Sequence, residues 1–219
     1  MKSPEILELP SEVSFGFASS AEEDINNPLI NTHNIMLNIP LEPEDYSVED
    51  NDTQALLLNN SSSENIQRLN KVLDKLQNNQ GVYSLGDEKY TSSLSEVELL
   101  LDNLKQKNLV YLCGQRDKNA IVYQLAEKMS FHILANDVIL DEVISHEAIN
   151  KKLLELEEIA KQNGSAVAIA SSYPLTIELL KNWLPSLEDK GIRIIPINDF
   201  YTITEQRKIK NIQKQVNIQ

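Results

Sequence analysis

The stretch Asn34–Tyr46, NIMLNIPLEPEDY, restricts the fold more than any other part of the chain. Ile35, Met36, Leu37 and Ile39 put apolar side chains on both sides of an extended backbone, so both faces of that strand need covering. The run stops at Pro40, and Glu42, Asp45 and Tyr46 follow at once. A strand buried on both faces belongs to a parallel sheet clothed by helices, and such folds aim their chemistry out of the carboxyl ends of the strands. Glu42, Asp45 and Tyr46 are therefore the first candidate groove residues.

The rest of the chain supports that architecture. Val13–Ala18 (VSFGFA), Gly81–Ser84 (GVYS), Leu109–Cys113 (LVYLC), Phe131–Leu140, Ser165–Ala170 (SAVAIA) and Ile192–Ile197 (IRIIPI) read as further short strands. SAVAIA has the small side chains that a sheet centre accepts, and Pro196 limits the last ladder. Between them lie helical patterns. Ser61 and Glu64 have capping-box spacing ahead of Ile66, Leu69, Val72, Leu73 and Leu76, and Ser93 and Glu96 repeat it ahead of Val97, Leu100, Leu101 and Leu104. Ile121, Leu125 and Met129 mark another helix. The longest is expected over about 145–163, stopped by Gly164, and Pro174 opens one that Gly191 ends. Pro28 confines any helix over residues 19–33 to a short or broken one. Alternating strands and helices predict an α/β fold with largely parallel strands, one domain over residues 1–200 and a basic, glutamine-rich tail over 201–219. Ile209, Ile212 and Val216 space that tail for one weak amphipathic helix.

The chain carries 33 acidic against 20 basic residues, a net charge of −13, which repels phosphate backbones and argues against nucleic acid as partner. No run is long and apolar enough to span a membrane, and MKSPEILELP has no signal-type apolar core, so a cytoplasmic product is expected as written. A longer start would change that expectation to an exported or periplasmic one. Cys113 is the lone cysteine, which excludes an internal disulfide and a cysteine-based zinc cluster.

The expected strand ends offer Asn38 and Glu42, Ser84 and Leu85, Cys113, Asp137, Ser171 and Ser172, and Asn198, with no histidine among them. His33 precedes a strand, His132 starts one and His146 sits in the first turn of a helix, all ordinary structural places. Cys113 reads as a small buried residue rather than a nucleophile, because only Arg116 and Lys118 lie near it in sequence. Glu42 with Asp45 could form an acid/base pair, although acidic loops are usually just solvated. Tyr173 and Trp183 read as core.

PLEPEDY, LLLNNSSSENIQRL and SAVAIASSYPLTIELLKNWLPSLEDKGIRIIPIN, in that order, resemble the divergent polysaccharide deacetylases, relatives of the NodB-type carbohydrate deacetylases. The resemblance runs from about Leu9 to Asn198. It implies a NodB-like irregular (β/α) barrel acting on carbohydrate, with a metal-bound water and an aspartate base removing an acetyl group. It also implies an opening strand with paired aspartates upstream of Leu9, where this chain has only eight residues. At the family's motif positions stand Asn38 and Gln54, Leu85 opposite a histidine, Cys113 opposite an aspartate and Ser171 opposite a histidine. An amide or a leucine cannot replace imidazole as the ligand of an ion that acidifies its water.

The sequence therefore predicts a deacetylase-like protein that has lost its first strand and its metal ligands. No cofactor is expected, and the chain is expected to persist as a carbohydrate- or partner-binding remnant, with Glu42, Asp45, Tyr46, Asp137 and Ser171 as candidate groove residues. The alternative is an active carbohydrate hydrolase using Glu42, Asp45 and Asp137.

Overall fold

The structure is a computed structural model that describes residues 4–19, 29–45, 54–76, 81–85, 89–115 and 117–216. Five parallel strands lie side by side in chain order: β1 (Phe15–Phe17), β2 (Ile35–Asn38), β3 (Gly81–Ser84), β4 (Tyr111–Cys113) and β5 (Leu134–Ala135). Helices return the chain between them: the single turn α1 (Leu29–Thr32), then α2 (Ser62–Leu73), α3 (Leu94–Gln106) and α4 (Ile121–Lys128). This is the parallel α/β architecture that the buried run of β2 demands. Its two faces are covered differently. Ile35, Leu37 and Ile39 join Val82, Tyr111, Leu101 and Leu104 in the largest apolar cluster, whereas Met36 on the other face meets Leu112, Leu134, Val167 and Ile197.

Asn136 and Asp137 break the sheet. The Asn136 N–H still bonds to Cys113 O, but the Asp137 N–H bonds to Val167 O. The chain thereby passes into a second, two-stranded parallel sheet of β6 (Val138–Ile139) and β7 (Ala168–Ile169). Between them runs α5 (His146–Asn163), with Ser145 accepting from Ala148 N and Gly164 ending it at φ 78. Leu153 and Ile149 of α5 pack with Val138, Leu140 and Leu179, the last from α6 (Pro174–Trp183). The SAVAIA strand is thus partly exposed and pairs with β6 alone among the described residues, not at a sheet centre.

Four further expectations need correction. Ile192–Pro196 forms no ladder, although it is β-branched: the chain leaves the Gly191 turn without meeting a strand edge, and α7 (Ile197–Val216) begins directly. The Ile197 N–H is held by Ser14 Oγ and the Asn198 N–H by Asn34 Oδ1, just ahead of β1 and β2, and Thr204 meets His132 just ahead of β5. So α7, not α5, is the longest helix, and it crosses the amino-terminal edge of the sheet. Asn198 consequently stands at the opposite edge from the one expected. The Ser61–Glu64 capping box closes in both directions, but Ser93 makes no such box. The carboxylate it needs, that of Glu96, is taken by the Tyr90 hydroxyl and the Asn65 amide.

Candidate functional site

The carboxyl ends of the strands are where the fold exposes chemistry. Glu42, just past β2, is 3% exposed. Its Oε2 accepts the Leu58 N–H at 2.6 Å, its Oε1 lies 3.2 Å from Lys89 Nζ, and its backbone bonds to Leu56 and Tyr90. Both carboxylate oxygens are therefore occupied in bracing the long β2–α2 connection against the approach to α3. Asp45 is exposed in a turn, and Tyr46 lies outside the described residues. Asp137 is likewise occupied: Oδ2 accepts the Val167 N–H at 2.8 Å and Oδ1 pairs with Lys118 at 3.3 Å. These bonds hold the break between the two sheets.

Ser171 is exposed beyond β7, and its N–H donates to Asp141 Oδ2 at 2.8 Å. Asp141 escaped the sequence reading. It is 6% exposed, also accepts the Thr176 hydroxyl at 2.9 Å, and so ties the carboxyl end of β6 to the first turn of α6. The available signal was VILDE, an apolar run ending in a carboxylate, which repeats in miniature the arrangement after β2. No contact joins Glu42, Asp45, Asp137 and Ser171 to one another, so the structure does not gather them into one acid/base centre among the described residues.

Besides exposed Asp45 and the half-exposed lysines that pair with Glu42 and Asp137, several uncharged side chains stand at the carboxyl edge. Asn38 is half-buried and sits in register with Tyr83. Tyr83 packs against the cluster of Met36 and Leu112, and its ring lies so close to Gly16 that a Cβ there would approach Tyr83 Cε1 to 2.8 Å. Burial raises the Tyr83 phenol above its ordinary pKa, so it remains an uncharged donor. Leu85 is 57% exposed, and Cys113 is fully buried in the largest apolar cluster. Tyr173 corrects another expectation: it is 44% exposed beside Ser171 and Ser172, because Pro174 starts α6 immediately after it. Trp183 is partly buried, with its indole N–H on Glu157 at 2.7 Å.

The fit of a hydrolytic metal can be tested on these side chains. Such an ion needs imidazoles and carboxylates converging on one point. Among the described residues no three His, Cys, Asp or Glu side chains do so. His33 packs on Phe15 and lies 3.2 Å from Leu9 O, His132 is 2.7 Å from Thr204 Oγ1, and His146 is exposed at the start of α5. The residues described at the edge do not fit the ion.

Five parallel strands joined by helices, with a second two-stranded sheet beside them, make this a parallel α/β scaffold. The family model described as divergent polysaccharide deacetylase matches residues 2–201, and the chain belongs to that family. It is 21% identical over 187 residues to the uncharacterized protein YibQ of Escherichia coli (strain K12). That match takes in 84% of this chain and 58% of YibQ, so the chain spans little more than half of that relative's length. The fold is similar to the crystal structure of uncharacterized protein ATU2773 from Agrobacterium tumefaciens C58, with a TM-score of 0.81 and 27% identity over 90% of this chain and 81% of that one. Among the described residues no helix is long and apolar enough to cross a membrane.

Proposed function

We propose that this member of the divergent polysaccharide deacetylases binds carbohydrate at the carboxyl edge of its sheet and does not carry out metal-assisted deacetylation. The observation that carries the reading is the chemistry of that edge. Asn38 and Ser171 carry hydrogen-bonding groups and Tyr173 an exposed aromatic face, while Glu42 and Asp137 are held by backbone N–H groups and lysines. An exposed tyrosine next to serine hydroxyls suits a neutral sugar, whose ring carries apolar C–H faces and polar rims. The acid/base alternative would require Glu42 to leave Leu58 and Lys89, exposing a buried donor in exchange for a proton.

The test is calorimetric titration of the protein with tetra-N-acetylchitotetraose and with cellotetraose, alongside an acetate-release assay with and without added zinc. Binding without acetate release is expected, and Tyr173→Ala should weaken it about tenfold, the loss of one stacked aromatic contact. Zinc-dependent acetate release abolished by Glu42→Gln would establish the hydrolase instead.

A further inference from the structure

Arg193–Ile195 has the sequence of a strand and none of its bonds. Residues 192–196 run without helix, turn or bend. Their ends are fixed, by Ile192 N–H on Leu187 O and Ile197 N–H on Ser14 Oγ, both at 3.0 Å. Between these anchors, no hydrogen bond among the described residues reaches the backbone of Arg193, Ile194 or Ile195. A β-branched segment with a free row of donors and acceptors is a template for another strand.

Open space lies alongside it. A cleft of about 630 Å³ separates this segment from the Glu8–Glu12 stretch, floored by apolar residues including Pro10, Leu184 and Ile192. A second, of about 450 Å³, continues past Pro196 toward α7, and both are lined by Glu12, Arg193 and Ile194. Together they form one trough beside an unpaired backbone.

Charge indicates the occupant. Of the ionic groups along the trough, Glu8 is paired with Lys181, which leaves Glu12, Glu188 and Asp199 against Arg193. A second copy would bring the same acidic rim and the same net charge of −13. We propose that the trough docks an extended, basic peptide of a partner protein, which adds as a strand along Arg193–Ile195 and sets its alternate apolar side chains into the floor. This does not depend on the carbohydrate reading, which concerns the opposite edge of the fold.

The probe is a fluorescein-labelled hexapeptide alternating lysine and valine, followed by anisotropy and by amide hydrogen exchange on the full chain. Saturable binding with slowed exchange at Arg193–Ile195 is expected. The same peptide with alternate amides N-methylated, and a glutamate–valine counterpart, should each bind at least about tenfold more weakly. Ile194→Pro removes a donor from a segment that no ladder holds, and Glu12→Lys with Glu188→Lys reverses the rim; each should weaken binding with the circular dichroism unchanged. Equal affinity for the N-methylated or the acidic peptide overturns the proposal. So does binding that leaves Arg193–Ile195 exchanging as before, or a free protein that sediments as a dimer with those amides already protected.

Discussion

The β1–β5 half and the half that follows Asp137 are built from the same kinds of residue and reach different ends. In the first, every strand has a parallel neighbour and Leu37 of β2 is fully buried between helices and sheet. In the second, β6 and β7 pair over two residues each, and Ile192–Pro196 pairs with nothing among the described residues. Isoleucine is more abundant in IRIIPI, with four, than in the β2 run, with two, so composition does not account for the difference. A strand is a relation between segments: propensity prepares the backbone, but a neighbour's edge completes it.

The sharpest way to break that comparison is to truncate the two isoleucine- and leucine-rich runs. Leu37→Ala should lower the unfolding free energy by about 3–5 kcal/mol, because close-packed surroundings cannot collapse into the space left. Ile194→Ala, on a half-buried and unladdered residue, should lower it by less than about 1 kcal/mol. Urea unfolding measures both, and a similar loss for the two would show that Arg193–Ile195 is as integral as β2.

Next in size are the buried carboxylates that brace each half. Glu42→Ala strands the Leu58 N–H and leaves Lys89 without its partner, and about 2–4 kcal/mol should be lost in urea unfolding. Glu42→Gln keeps an acceptor for Leu58 and should lose roughly half of that. In the second half, Glu157 accepts from Trp183 and Lys190. Burial pushes its pKa up, but the hydrogen bonds from Lys190 and Trp183, with the charges of Lys190 and Lys161, outweigh that and hold it below the ordinary value of 4.5. The stability it contributes is therefore complete above the unfolded pKa and lost as pH falls through the folded one. Glu157→Gln should cost about 1 kcal/mol at neutral pH and progressively less below about pH 4, a convergence that thermal melts would follow.

The sequence made the first half legible because its signals are local. The apolar run of β2 and the capping box of α2 each lie within a few residues of the element they define. The candidate site was less so. Glu42 and Asp137 were correctly placed at strand ends, yet what occupies their oxygens is Leu58, Lys89, Val167 and Lys118, groups distant along the chain. Distant partners leave no periodicity to read. The Ser93 box failed for the same reason: Tyr90 and Asn65 compete for Glu96, and only the fold brings Asn65 there. Tyr173 was misplaced although Pro174 already set it just ahead of α6, because whether any other element covers a residue at that place depends on segments distant along the chain.

The smallest expected effect tests how α7 joins the two halves. His132 Nε2 lies 2.7 Å from Thr204 Oγ1 and its ring tilts over Tyr201 at 4.9 Å, so this contact fastens the third turn of α7 to the start of β5. Burial, and secondarily the charge of Lys208, lower the His132 pKa below 6.5. The unfolded chain therefore takes up the proton first, and stability should begin to fall as pH drops below about 6.5, levelling once pH is under the folded value. His132→Gln keeps a hydrogen-bonding group without the titration and should flatten that slope, read from melts between about pH 7 and pH 5. If α7 is only loosely attached, hydrogen exchange in α7 should quicken over this range while β2 and β3 stay protected; equal quickening in all three would mean that α7 unfolds together with the first half.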